Sequence, residues 1–250
     1  MSFSTLMYHE IREGVTFNEN HPSQIDVKQE YKDVLPAPLF VTRENFEEQM
    51  AYLYQNNFHT LTLEEVKDYY YNDKELPTNS VLLTFDDCYQ SIKVFAYPIL
   101  KKYNFHGVAF VVTNWLHENP KEFNPNSSVC LAESELSTIS DVFEYANHTD
   151  SFHKRMNPTT SSLILSSDEA FSLDLDLCNS KSYITAKDVF AYPFGIYEDR
   201  NVNLLKKKGY KLAFTSLNGS SDKNTNPLLL NRNAIPYFMP MEAFKKVVQG

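Results

Sequence analysis

The chain has 250 residues, 42% of them hydrophobic, a formal net charge of -9 and a pI near 5.3. That length can bury one large core and fits a single α/β domain over residues 1–250 better than two small ones. The acidic balance, with no basic run longer than Lys206 to Lys208, excludes the electrostatic footprint of a nucleic-acid or anionic-membrane partner. In chain order, residues 4–11 (STLMYHEI) read as a strand and the polar, Pro-containing stretch 12–38 as a long loop. Residues 42–57 place Phe46, Met50, Leu53 and Tyr54 on one face behind a Thr42 cap, which predicts a helix, and 62–72 predict a second. The stretch SVLLTFDDCYQS (80–91) begins as a strand and leads into a helix over about 89–103, followed by the continuous apolar run 106–113. Further on come a short helix at 131–140, a strand entering 144–149 and a helix near 158–178. The pattern 189–195, 201–209 and 211–217 repeats strand, helix, strand, with Gly209 ending the helix. An extended piece at 227–236 and a closing helix complete the chain. Strands separated by helices imply parallel pairing through right-handed crossovers, and six or seven such units are enough to curl into a barrel.

Three cysteines, Cys88, Cys130 and Cys178, are odd in number and widely spaced. They read as free thiols, neither a disulfide framework nor a paired-thiolate zinc motif. The opening MSFSTLMYHEIREG lacks a basic start followed by a long apolar core, and no later run is long enough to span a bilayer. As written the chain is expected to be cytoplasmic and monomeric, or secreted or surface-bound if a leader precedes it.

In parallel α/β architectures the working residues collect where strands end and loops begin. Three such ends are chemically loaded here: Asp86 and Asp87, then NHTDSFH with His148 and His153, then YPFG at 192–195. Two adjacent acids closing an apolar strand cost desolvation and mutual repulsion unless a cation or a hydrogen-bond network offsets them. One Asp and two His can hold a divalent metal with positions left open for water, leaving the other Asp for proton transfer. The two histidines are 153 − 148 = 5 residues apart, one more than the spacing that stacks ligands on a helix face. A turn through Asp150 and Ser151 must therefore bring them together. Taken singly, each pair has a plainer reading, as surface or capping residues.

The order TFDDCYQS, then NHTDSFH about sixty residues later, then FAYPFG, resembles the leading motifs of the polysaccharide deacetylase (NodB homology) family. The LMYHEI and FVTRENFEEQMAYLYQNNFHTLTLEEV segments resemble its poly-N-acetylglucosamine branch. The resemblance implies an α/β fold, a distorted (β/α) barrel of about seven strands like a TIM barrel. It also implies a hydrolase that removes N-acetyl groups from N-acetylglucosamine-containing polysaccharide or oligosaccharide. Carried over by position, Asp86 is the general base, and Asp87, His148 and His153 bind the metal, zinc first, with cobalt, nickel or iron also fitting. The backbone N–H of Phe194 meets charge on the carbonyl oxygen, and Pro193 and Gly195 shape the chain around that donor. Candidate substrate-binding residues are Tyr192, Pro193, Arg232 and Trp115, the last weighed against a core or rim Trp. Thr149 is expected to steady the His loop by hydrogen bonding.

Three departures from the family pattern stand out. Cys88 replaces a Gly common in relatives, so the turn after Asp87 is expected to need no positive φ. No histidine follows His153, and the equivalent late segment, LLLNRNAIP, offers Arg232 instead; His9 is the candidate to protonate the leaving amine, against the plainer reading of a core histidine. Tyr192 replaces an Arg that orients the base in many relatives, so Asp86 is expected to lack a cationic partner. The last two leave open a catalytically weakened or inactive carbohydrate-binding protein. An esterase for O-acetyl groups is a further alternative, since the same chemistry serves an ester.

Overall fold

In the computed structural model, which describes residues 1–21 and 23–249, one nine-stranded sheet runs through the molecule. Its seven-strand path places Leu212–Phe214, Ala186–Ala191, Phe143–Asn147, Gly107–Val111, Ser80–Asp86, Ser2–Tyr8 and Ser220–Asp222 side by side. Every pair in that path is parallel except the last, Ser2–Tyr8 with Ser220–Asp222. The sheet curls, as the sequence predicts, into a distorted half-barrel. The segment 227–236 crosses between its first and last parallel strands. Leu230 bridges to Phe214, while Asn233 and Ala234 pair with Leu6 and Met7.

All seven residues of Ser80–Asp86 are buried, because a doubly covered parallel strand has no solvent face. Alternation still divides them. Val81, Leu83 and Phe85 pack with the helices Arg43–Gln55 and Tyr97–Tyr103. Leu82 joins Val108, Phe110, Ala191, Phe214 and Leu230 on the other face. Asp86 shares the parity of Leu82, so the strand delivers it to that second face.

The amphipathic helices form where the sequence predicts. Thr42 caps Arg43–Gln55 by accepting from the Asn45 N–H, and Thr62 and Glu65 form a reciprocal capping box for Leu63–Tyr71. Four expectations are corrected. The 4–11 strand breaks at His9 into Ser2–Tyr8 and Glu10–Arg12. The 89–103 helix opens as a π turn, Ile92–Ala96, before Tyr97–Tyr103, as befits a helix that must accommodate Pro98 without its N–H. Pro158 and the Ser167 cap split the 158–178 helix into a hairpin (Arg155–Asn157 with Thr160–Ser161), Ser162–Leu165 and Asp168–Asn179. The 12–38 stretch carries two short strands, Ser23–Asp26 and Val34–Leu35, which form a small sheet with Ser128–Val129. Buried Arg12 ties this segment down, donating to Ser23 Oγ and to the carbonyl of Pro125.

All three cysteines are free and buried, and among the described residues no helix is long and apolar enough to cross a membrane.

Gly107 opens its strand where no side chain fits: a Cβ there would lie 2.8 Å from Phe143 Cε1 and 3.2 Å from Phe85 Cε2. Gly107→Ala is expected to lower the unfolding free energy by about 1–3 kcal/mol, read from urea denaturation. An unchanged midpoint would mean the rings yield freely.

Candidate active site

The turn after Ser80–Asp86 has two consecutive left-handed residues, Asp87 (φ 70°) and Cys88 (φ 57°). Cys88 therefore does adopt the positive φ that its replacement of Gly argued against, at a cost of roughly 1–2 kcal/mol. Hydrogen bonds on every side hold the turn: Asp87 N–H donates to Phe110 O, Leu131 N–H to Cys88 O, and Cys130 Sγ to Asp87 O. The reversal brings both carboxylates, which a continuing strand would point to opposite faces, into one cavity.

The histidine loop leaves Phe143–Asn147 through another left-handed residue, Thr149 (φ 80°). His148 donates from Nδ1 to Ala191 O at 2.8 Å, which fixes the tautomer and leaves the Nε2 lone pair facing the cavity. His148 Nε2 lies 3.9 Å and His153 Nε2 3.5 Å from Asp87 Oδ1. The ligand atoms of Asp87, His148 and His153 all fall within 4.8 Å of one another, and all three residues are buried. Burial lowers the pKa of both imidazoles, so they are neutral donors. Burial, and then the neighbouring Asp86 charge, raises Asp87, whose Oδ1 has no hydrogen-bond partner among the described residues. Two neutral imidazoles converging on an unpartnered buried carboxylate form a donor set that fits a divalent transition metal. The Thr149 hydroxyl contributes nothing to the loop, being itself without a partner among the described residues. The Thr149 backbone does the bonding instead, its N–H to Asn147 Oδ1 and its carbonyl to Thr113 N–H.

Asp86 has the cation it was expected to lack. Arg232 Nη1 donates to Asp86 Oδ1 at 2.6 Å, and its Nε donates to Thr215 O. The guanidinium lies over the Phe110 ring. Burial alone would raise the Asp86 carboxyl, but the charge of Arg232, with lesser help from His148 and His9, outweighs it and holds the group well below the usual carboxylate range. On the other side of Asp86, His9 Nε2 stands 3.7 Å from Oδ2. His9 is pushed down to about 4 by burial, with Arg232 and His148 acting in the same direction against the pull of Asp86.

These groups line a cavity of about 470 Å³. Its far wall is the 12–38 segment, presenting Ile25, Leu35, Pro36 and Pro38. Trp115 is both buried and on the wall, its ring centre 4.6 Å from that of His153 in an edge-on arrangement and its Nε1 donating to Gln29 Oε1. Phe194 packs against His153 with ring centres 4.3 Å apart and carries the Arg155 guanidinium on its face, 4.1 Å from the ring centre. The Phe194 and Gly195 backbone is left-handed, and a Cβ on Gly195 would collide with Ser216. Two expected substrate contacts are not on this wall. Tyr192 is buried in a separate apolar cluster with its hydroxyl donating to Leu228 O, and Pro193 is buried beside it. Arg232 reaches the cavity, but its guanidinium is engaged by Asp86 and Thr215. Sequence reasoning missed Arg155, Ser216 and Tyr89. Of these only Tyr89, three residues beyond Asp86 in the TFDDCY run, carried a local signal.

Arg232→Met, which keeps length and removes charge, is expected to destabilise the fold by about 3–5 kcal/mol at neutral pH by stranding the Asp86 carboxylate. Because the folded pKa of Asp86 is depressed, the contribution of the pair is present above the ordinary carboxylate range and is lost as pH falls through the depressed value. Parent and variant should therefore converge in acid. Urea denaturation at neutral pH and in acid reads both effects.

The family model for polysaccharide deacetylase matches residues 73–213. Among curated proteins, the chain is 28% identical over 232 residues to a poly-β-1,6-N-acetyl-D-glucosamine N-deacetylase of Staphylococcus aureus, covering 91% of this chain and 76% of that one. The Staphylococcus epidermidis protein of the same name is 27% identical over 213 residues, 84% of this chain and 71% of its own. Among solved structures, a Streptococcus pyogenes deacetylase in complex with acetate superposes with a TM-score of 0.77 at 22% identity, covering 100% of this chain and 99% of that one. IcaB from Ammonifex degensii superposes at 0.71 and 20% identity, covering 99% and 96%. These last two share the fold. Since the family model spans more than half of its length, and its three motifs meet in one cavity, the chain belongs to the polysaccharide deacetylase family.

Proposed function

We propose that the protein is a metal-dependent N-deacetylase of poly-N-acetylglucosamine-type substrates, with Asp86 as its base. The observation that carries this reading is the convergence of Asp87, His148 and His153 within 4.8 Å beside a second carboxylate that Arg232 keeps ionised. A divalent metal on the three ligands, zinc first with cobalt, nickel or iron fitting the same donors, supplies Lewis acidity and makes water a nucleophile near neutral pH.

Asp86 takes the proton of the attacking water on Oδ2, the oxygen Arg232 leaves free. His9, neutral near pH 7 and 3.7 Å away, accepts that proton and hands it to the departing amine. The backbone N–H of Phe194 serves the charge growing on the acetamide oxygen. Trp115 and the apolar wall hold the sugar ring, while Arg232 acts on Asp86 rather than on substrate. The products are acetate and a free amine. Acetate is also the molecule with which the Streptococcus pyogenes deacetylase was solved. With Arg232 and His9 in these places, the missing late His no longer singles out a binding-only protein.

The zinc-, cobalt- or nickel-loaded protein is expected to release acetate from N-acetylglucosamine oligomers and to lose that activity to a chelator. Failure with every oligomer overturns the reading, and faster release from O-acetyl sugars makes the protein an esterase. Asp86→Asn should lower kcat by about 10²–10⁴ with metal content unchanged; loss of metal would place Asp86 among the ligands instead. His9→Gln should lower kcat more than it raises KM, and an unchanged kcat removes His9 from the proton path.

A further inference from the structure

The five-residue separation of His148 and His153 leaves four residues to be folded into a turn tight enough for both Nε2 atoms to reach Asp87. Left-handed Thr149 starts that turn. Its middle is gripped from outside by Asp174, on the helix Asp168–Asn179, whose side chain is almost wholly buried. One carboxylate oxygen accepts the Asp150 N–H and the other the Ser151 N–H, each at 2.8 Å. Thr113 Oγ1 donates to Asp150 Oδ1, Asn114 N–H to Asp150 O, and Gln29 Nε2 to Ser151 O. No cation pairs with Asp174 among the described residues. Burial pushes its carboxyl up to about 7, and the two amides are what pull against that. A buried carboxylate is a costly way to fasten a loop that apolar packing could hold. What it adds is geometry, because two oxygens in a fixed plane set the direction of two successive peptide groups.

Resting on the proposed metal reading, we propose that Asp174 is a positioning residue of the metal centre: by binding the Asp150 and Ser151 N–H groups it sets the turn that carries His153 Nε2 to Asp87 beside His148. Outer-shell groups that orient ligands typically govern metal affinity by 10–100-fold. Asp174 does so through the backbone.

Zinc affinity of the full chain, from competition with a chromophoric chelator, and the visible absorption of the cobalt-loaded protein test this, alongside the melting of the metal-free forms. In Asp174→Asn one N–H faces an amide N–H₂ instead of an acceptor. Zinc affinity is expected to fall roughly 10–100-fold and the cobalt spectrum to change. Val66→Ala, a core truncation in the remote helix Leu63–Tyr71, controls for lost stability and should keep zinc affinity within about threefold of the parent. Asp174→Glu keeps both acceptors one methylene too far out and should fall between parent and Asn; if the Asn protein does not fold, Glu against Val66→Ala decides. Parent-like affinity and spectrum in the Asp174 variants, or a loss no greater than in Val66→Ala at equal melting, overturns the positioning role alone. A parent that binds none of zinc, cobalt or nickel overturns the metal reading and the inference together.

Discussion

The contact between Arg232 and Asp86 is the one on which the rest of the cavity depends. It joins residues 146 apart in sequence, both almost completely buried. Without it, two adjacent carboxylates would share a space that excludes water, and neither could stay charged cheaply. With it, the pair becomes asymmetric. Asp86 is held ionised by a fixed guanidinium, whereas Asp87 faces two imidazoles that burial keeps neutral. On the proposed assignment, the difference between a base and a ligand comes from what each carboxylate faces, since the residues are chemically identical and adjacent.

Backbone conformation makes that difference possible. Left-handed residues at Asp87, Cys88, Thr149 and Phe194 all lie where strands give way to cavity-lining loops. Each departs from the direction its strand would have continued in, so that side chains otherwise alternating between faces converge on one point. Non-Gly residues bear this at a local cost, which surrounding hydrogen bonds over-determine. The same economy governs the far wall, where Arg12, Gln29 and strands of two to four residues fix a segment that has little regular structure.

How much of this was legible follows from range. The Ser80–Asp86 strand and the Arg43–Gln55 helix announce themselves by local periodicity and caps, and the barrel follows from their alternation. Asp87, His148 and His153 could be nominated because strand ends of a parallel sheet meet at one rim. Arg232 could not be assigned its partner, since its place depends on how the segment after Phe214 crosses back to the first strand, a contact no local pattern encodes. The wall at 23–38 was read as loop because strands of two to four residues carry too little alternation to register. Tyr192 looked functional by its position in a motif, yet strand parity turns its ring into a different core. Cys88 was misjudged for a related reason: residue type predicts what φ is easy, while packing decides what φ occurs.

The crossing segment 227–236 has a consequence for how the molecule comes into being. Synthesis runs from the N-terminus, so Asp86 and Asp87 emerge and can pack long before Arg232 exists. Until the last strands arrive, a carboxylate in that half-closed sheet is without its counter-charge and is best kept protonated or wet. Closure of the sheet and completion of the electrostatic site are therefore a single late event. A chain that stops short of Arg232 can hold most of its strands and still be without a working cavity.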